Sequence, residues 1–133
     1  MESAELRFSI TWTSGFRPTE ELPYDYCVGG IMLQRPFKVE IPLLMLLGEK
    51  DDWTPPARCV RLAERTRLAQ PDADLTVHVF PDSYHGFDGT APIRFWTDVS
   101  NGVDPNGVHL GANPVTRVQA QAEMDAFLTR VLK

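Results

Sequence analysis

Three short runs of apolar and β-branched residues predict the strands of a small sheet. Residues 6–12 are β-rich and end just before a serine and a glycine. Residues 41–47 form an unbroken apolar run that Gly48 stops, which is typical of a strand buried on both faces of a parallel sheet. Residues 75–80 form the third run, and Pro81 ends it.

Two further segments carry helical periodicity. A threonine and two prolines at residues 54–56 resemble a capped helix start and predict a helix over residues 55–69. Its predicted buried positions are Cys59, Leu62, Ala63 and Thr66. Asn113 and Pro114 open a second helix over residues 114–132. Its predicted apolar positions are Val115, Val118, Ala122, Met124, Phe127, Leu128 and Val131.

The order of these elements predicts an α/β fold. Strand, helix and strand over residues 41–80 form one βαβ crossover, so its two strands are expected to be parallel. We expect one domain over residues 1–133. Residues 1–40 are expected to be irregular apart from one short strand, and residues 81–133 to hold two loops and the last helix. The stretch 82–112 is rich in glycine, aspartate, asparagine and proline and predicts a long loop.

Composition excludes several classes of partner. A net charge of −5 without clustered lysine or arginine argues against a nucleic-acid or anionic-membrane surface. No stretch approaches the roughly 20 apolar residues of a membrane span, and no signal peptide is visible, so we expect a cytoplasmic protein. Cys27 and Cys59 fit no zinc pattern, and free thiols are favoured over a single bridge between them. No cofactor or metal is expected.

Two loops of the predicted βαβ region carry residues with a shared chemistry. We name residues 48–55 the acid loop and residues 81–88 the base loop. Both follow carboxyl ends of parallel strands, so Asp51 and His85 are expected to lie within hydrogen-bonding reach. A carboxylate bound to one imidazole nitrogen leaves the other nitrogen free to accept a proton from a nucleophile. Alternatively, Asp51 caps the following helix and His85 is a turn histidine satisfied by backbone groups.

The sequences of these loops resemble the dienelactone hydrolase family of α/β-hydrolases. The resemblance rests on P-L-L-M-L-L-G-E-K-D-D-W-T-P over residues 42–55 and V-F-P-D-S-Y-H-G-F-D over residues 79–88, and it covers about residues 35–132. It implies the C-terminal portion of an α/β-hydrolase fold, with a carboxylic ester or a lactone as substrate. It also implies that Asp51, and not Asp52, is the catalytic acid and that His85 is the catalytic base.

The chain departs from that family at the nucleophile. Neither G-x-S-x-G nor G-x-C-x-G occurs, and the nearest segment is D-Y-C-V-G-G over residues 25–30. Residues rich in proline and glutamate precede Cys27, whereas a nucleophile elbow requires a buried strand there. Three hypotheses remain: an enzyme fragment without its nucleophile, a short hydrolase that uses Cys27 or a partner chain, and a non-catalytic association domain. All three predict a homo-oligomer through an exposed sheet edge.

Other polar and aromatic residues near the two loops have alternative interpretations. Asp52, Asp82 and Asp88 suggest a cation site, but solvated loop carboxylates are favoured. His78 is expected to be packed or bonded to a neighbour within its strand, and His109 to lie in a loop. Core packing is as good an explanation as a pocket for some of the aromatic residues near the loops. The candidates for an apolar pocket wall are Trp53, Tyr84, Phe87, Phe95 and Trp96.

Overall fold

The computed structural model describes residues 9–11, for their backbone, 38–100 and 102–133. Three strands form a parallel sheet in the order β1 (Ser9–Thr11), β2 (Leu43–Gly48) and β3 (Leu75–Phe80). Ser9 pairs with Leu43, and β2 pairs with β3 along its whole length, from Leu43 with Leu75 to Gly48 with Phe80. The predicted α/β class and the parallel βαβ unit are confirmed.

Helices cover both faces of this sheet. α1 (Pro56–Ala69) follows β2, and α2 (Pro114–Val131) ends the chain. Every residue of β2 is buried, as expected for a strand covered on both faces. Alternate β2 residues enter two cores. The core on the α1 side contains Val39, Leu43, Met45, Leu47, Cys59, Ala63 and Leu75. The core on the α2 side contains Leu44, Leu46, Phe80, Phe87, Ala120 and Phe127.

The two helix starts differ from each other. In α1 the predicted buried face is confirmed, but the predicted threonine cap is wrong, because Pro55 is the N-cap residue and no side chain caps the helix. The Thr54 hydroxyl donates instead to Asp51. In α2 the predicted cap is confirmed, because Asn113 Oδ1 accepts from the backbone N–H groups of Val115 and Thr116 at 3.1 and 3.3 Å.

The predicted apolar face of α2 is partly wrong. Phe127 is buried and Leu128 and Val131 pack against the core, but Val115 and Val118 are 67% and 62% exposed. Thr116 and Ala120 face the protein instead. Small side chains at these two positions allow the start of α2 to approach the base loop, where Ser83 Oγ lies 2.7 Å from Thr116 Oγ1. Ala122 is also exposed.

A hairpin occupies part of the predicted long loop. β4 (Arg94–Trp96) pairs antiparallel with β5 (Val108–Leu110). Each strand has only three residues, and the β4 residues are all exposed, so neither strand produces a periodic signal in the sequence. Strands of three residues with a long connection are too short for the alternation of apolar and polar residues to predict them.

The structure bears on two expectations from composition. No helix in the described ranges is long and apolar enough to cross a membrane. Cys59 is disulfide-bonded, which contradicts the free thiol that the sequence favoured. Cysteine spacing alone could not show this, since a bridge depends on how the fold places the two sulfur atoms. Cys27 lies outside the described residues.

Candidate active site

The acid loop begins where β2 ends and turns back on itself around the Asp51 carboxylate. Oδ1 of Asp51 accepts from the backbone N–H groups of Trp53 at 3.0 Å and Thr54 at 2.7 Å. Oδ2 accepts from the Thr54 hydroxyl at 2.9 Å. Asp51 is only 3% exposed, so these donors replace the water that a buried carboxylate has lost.

The base loop presents His85 to that carboxylate. His85 Nδ1 lies 3.0 Å from Asp51 Oδ2, and the histidine is 5% exposed. The predicted contact between the two residues is therefore confirmed, while their catalytic roles stay a prediction. Since a carboxylate only accepts hydrogen bonds, the proton of this contact lies on Nδ1 of His85, and Nε2 is the ring nitrogen left to accept one.

Asp51 also fulfils part of the alternative interpretation. Its bonds to the N–H groups of Trp53 and Thr54 order the turn that leads into α1, although Pro55 is the N-cap residue. The same carboxylate thus shapes its own loop and binds the imidazole. The contact between Asp51 and His85 spans 34 positions of sequence, and an aspartate that only shapes a turn does not require it.

Thr54 is a part of the site that sequence reasoning took only for a cap. Its hydroxyl donates to Asp51 Oδ2 and lies 3.4 Å from His85 Nδ1. The side chain is buried, so the hydroxyl fixes the carboxylate on the side where it meets the ring. The signal in the sequence was a threonine three positions after the acid, a spacing that lets a loop side chain fold back onto the carboxylate.

Direct backbone bonds hold the two loops together. The backbone N–H of Glu49 donates to Phe80 O and that of Lys50 to Ser83 O, each at 2.9 Å. The Lys50 ammonium lies 2.6 Å from the Asp82 carboxylate. The hydrogen bond to Asp82 raises the pKa of Lys50 above its ordinary value of 10.5, so the ammonium is charged at neutral pH. The distance between acid and base is therefore fixed by the backbone and does not depend on two flexible side chains alone.

A second carboxylate–imidazole pair lies beside the first. Asp52 Oδ2 is 2.7 Å from His109 Nδ1, and Asp52 Oδ1 accepts from the His109 backbone N–H at 2.9 Å. The expected solvated role of Asp52 and the expected loop position of His109 are both wrong, because β5 carries His109 to the acid loop. Tyr84 stacks on the His109 ring with a 5.0 Å centroid separation, and Phe95 contacts it at 4.9 Å.

The five aromatic residues proposed for a pocket wall separate into three groups. Trp53 packs against the His85 ring at 4.7 Å, and Trp96 meets Trp53 edge-on at 5.7 Å. Tyr84 and Phe95 contact His109 instead, and Phe87 is 1% exposed in the core. Among these five, Trp53 therefore lies against His85, and Trp96 extends that aromatic surface through its contact with Trp53, which suits contact with a bound molecule.

The remaining sequence candidates do not join the site. His78 Nε2 lies 3.3 Å from Glu123, which confirms the expected bond to a neighbour. Asp52 and Asp82 are engaged by His109 and Lys50, and the described part of the chain contains no group of three or more side chains that could hold a metal ion. The nucleophile candidate Cys27 lies outside the described residues. Within the described ranges, the His85 ring forms its hydrogen bonds with Asp51 and Thr54 and not with a serine or cysteine.

Comparison with known proteins identifies no relative, so the site is interpreted from its geometry. The chain matches no protein-family model, no curated protein and no solved structure.

Proposed function

We propose that this chain carries the acid and the base of a hydrolase of carboxylic esters or lactones, similar to the dienelactone hydrolases. The observation that carries the proposal is the buried 3.0 Å contact between Asp51 Oδ2 and His85 Nδ1 at the carboxyl ends of β2 and β3. Ligand and reaction sites of open parallel sheets lie at that edge. The order of acid before base along the chain is also that of α/β-hydrolases.

The proposed chemistry uses the two imidazole nitrogens differently. Nδ1–H of His85 donates to Asp51, and Nε2 takes the proton of a serine or cysteine as its oxygen or sulfur attacks the ester carbonyl carbon. The protonated ring then gives that proton to the departing alkoxide, leaving an acyl-enzyme. Water attacks the acyl group in the second half, losing a proton to Nε2, and the carboxylic acid leaves as the nucleophile regains its proton. On this proposal the nucleophile lies outside the described residues.

The surroundings of His85 favour an apolar substituent on the substrate. Trp53 lies against the imidazole, and Trp96, 38% exposed, extends that aromatic surface outward. An acyl or alcohol group beside the reacting carbonyl would rest on these indoles and lose water there. We therefore propose esters or lactones with an aromatic or alkyl substituent.

Covalent labelling combined with an ester assay tests this function. A fluorophosphonate should add its phosphonyl group to a serine or cysteine, and peptide mass spectrometry should locate that residue. The chain should also hydrolyse p-nitrophenyl esters. His85→Asn should lower both labelling and turnover by about a hundred- to ten-thousand-fold. The matched control is His78→Asn. It removes a histidine of β3 that is bound to the exposed carboxylate of Glu123. Equal activity in the two variants would contradict the proposal.

The alternative is a non-catalytic association domain, and one observation favours it. Among the described residues, β3 is an end strand of the three-stranded sheet and pairs with β2 alone, which leaves the other side of its backbone available to another strand. Such a domain would associate with a second copy and would show neither labelling nor turnover that depends on His85. On either alternative, the exclusion of nucleic acid and membrane and the cytoplasmic location remain predictions from composition.

A further inference from the structure

The short strand β5 and the residue that follows it contact both the acid loop and the backbone of His85. β5 contacts the acid loop through His109, whose ring and backbone N–H both bind Asp52. Leu110, the next residue, forms a parallel bridge with His85, and the Gly111 backbone N–H donates to His85 O at 2.9 Å. Three consecutive residues therefore connect the neighbour of Asp51 to the backbone of His85.

The His109 side chain reinforces this connection on both sides. Its ring stacks on Tyr84, which directly precedes His85, and contacts Phe95 of β4. Its carboxylate partner Asp52 directly follows Asp51, and the Asp52 carbonyl accepts from the Val103 backbone N–H at 2.7 Å. The side chains of His109 and Asp52 are 40% and 23% exposed, so the pair borders solvent while the Asp51–His85 pair is buried beside it.

We propose that His109 is a positioning residue, which through Asp52 sets the orientation of the Asp51 carboxylate towards His85. The inference rests on the proposed function, since it assigns His109 a role in that same site. Loss of the hydrogen bond between His109 and Asp52 would let the acid loop shift and would change the distance and angle between Asp51 and His85. Misplacement of a catalytic group by about 1 Å costs roughly a hundredfold in rate. The hydrogen bond between the His109 and Asp52 side chains, and not the stacking of the His109 ring, sets this orientation.

Two substitutions separate these contributions. His109→Phe keeps a flat ring between Tyr84 and Phe95 and removes the ring nitrogen bonded to Asp52, while the backbone N–H of residue 109 can still donate to Asp52. His109→Asn keeps an N–H donor close to the position of Nδ1 and removes the ring. His78→Phe is the matched control, since it also removes a histidine bonded to an exposed carboxylate, but from β3. Circular dichroism checks that each variant is folded.

The readout is the proton NMR signal of His85 Nδ1–H, which a hydrogen bond to a buried carboxylate moves downfield. His85→Asn identifies the signal by its loss. We expect His109→Phe to shift or broaden it and to lower kcat for p-nitrophenyl esters about ten- to a hundredfold with KM nearly unchanged. His109→Asn should restore both, and His78→Phe should change neither.

An unchanged His85 signal in folded His109→Phe would overturn the positioning role. Equal shifts in His109→Phe and His109→Asn would also overturn it, because the carboxylate bond would then not be the operative contact. Failure of the proposed function has a different signature. In that case His85→Asn leaves hydrolysis intact, while the NMR comparison still decides whether His109 orients the pair.

Discussion

Gly48, the last residue of β2, shows how little space separates the acid and base loops. A Cβ atom built on Gly48 would lie 2.5 Å from the carbonyl oxygen of Ser83 and 3.1 Å from that of Tyr84. These are backbone atoms of the base loop, so they cannot move aside without moving His85 as well. A glycine here is what allows Lys50 and Ser83 to form their backbone bond.

We therefore expect Gly48→Ala to destabilise the fold by about 1–3 kcal/mol, the usual cost of overpacking. It should also weaken any activity that depends on His85. Urea denaturation measures the first effect and an ester assay the second. Gly89→Ala is the control, because a Cβ there meets only the Gly86 carbonyl oxygen, at 3.2 Å. A Gly48→Ala protein as stable as the control would show that the loops can separate freely.

Thr54 permits a second test at the residue scale. Thr54→Val keeps the shape of the side chain but removes the hydroxyl that donates to Asp51 Oδ2. A buried carboxylate that loses a donor should destabilise the protein by about 1–3 kcal/mol. Thr54→Ser retains the donor and should recover most of that loss. Chemical denaturation of the three proteins decides this, and equal stability of the valine and serine variants would contradict it.

Single residues also show where sequence reasoning reaches its limit. Asp51 and His85 could be found because each lies in a loop after a strand, and parallel strands deliver both loops to one edge. The Asp52–His109 contact could not, because it spans 57 positions and depends on a hairpin with no periodic signal. The sequence thus indicates which groups share an edge but not how their neighbours orient them.

At the scale of the helix, the start of α2 has a side-chain cap that a pair of substitutions can test. Asn113 Oδ1 accepts from two N–H groups of the first turn, and the carbonyl of Phe87 accepts from the Asn113 N–H at 2.9 Å. Asn113→Ala should destabilise the protein by about 1 kcal/mol through loss of the cap. Asn113→Asp retains a capping oxygen but loses the side-chain N–H that donates to the Asp82 carbonyl at 3.1 Å, so it should recover only the part of the loss that is due to the cap. Thermal or urea unfolding provides the comparison, and a neutral alanine variant would contradict the expected role.

The success of prediction at this scale follows the burial of each element. β2 and α1 were recognisable because one is buried on both faces and the other packs a single face, which leaves clear patterns. In α2 the residues that face the protein include Thr116 and Ala120, while two valines face solvent. A helix that approaches a loop through small side chains has a buried face that hydrophobicity alone does not mark.

At the scale of the molecule, two cores meet at β2, and α1 and α2 cover opposite faces of the sheet. Among the described residues, β3 is an end strand of the three-stranded sheet and pairs with β2 on one side. Its residue Val79 is 43% exposed, although valine on a sheet usually packs. An end strand with an exposed apolar side chain is the kind of edge onto which a second strand can add.

Sedimentation equilibrium should accordingly reveal an association that strengthens with protein concentration. Val79→Lys places a charge on the end strand and should weaken it, because lysine at sheet edges opposes strand addition. Val115→Lys is the control, since Val115 is equally apolar and more exposed but lies on α2. If the Val115 variant dissociates and the Val79 variant does not, the helix face is the contact surface. If the wild-type chain sediments as a monomer at all concentrations, the β3 edge is closed to other copies, and the association expected from the sequence is wrong.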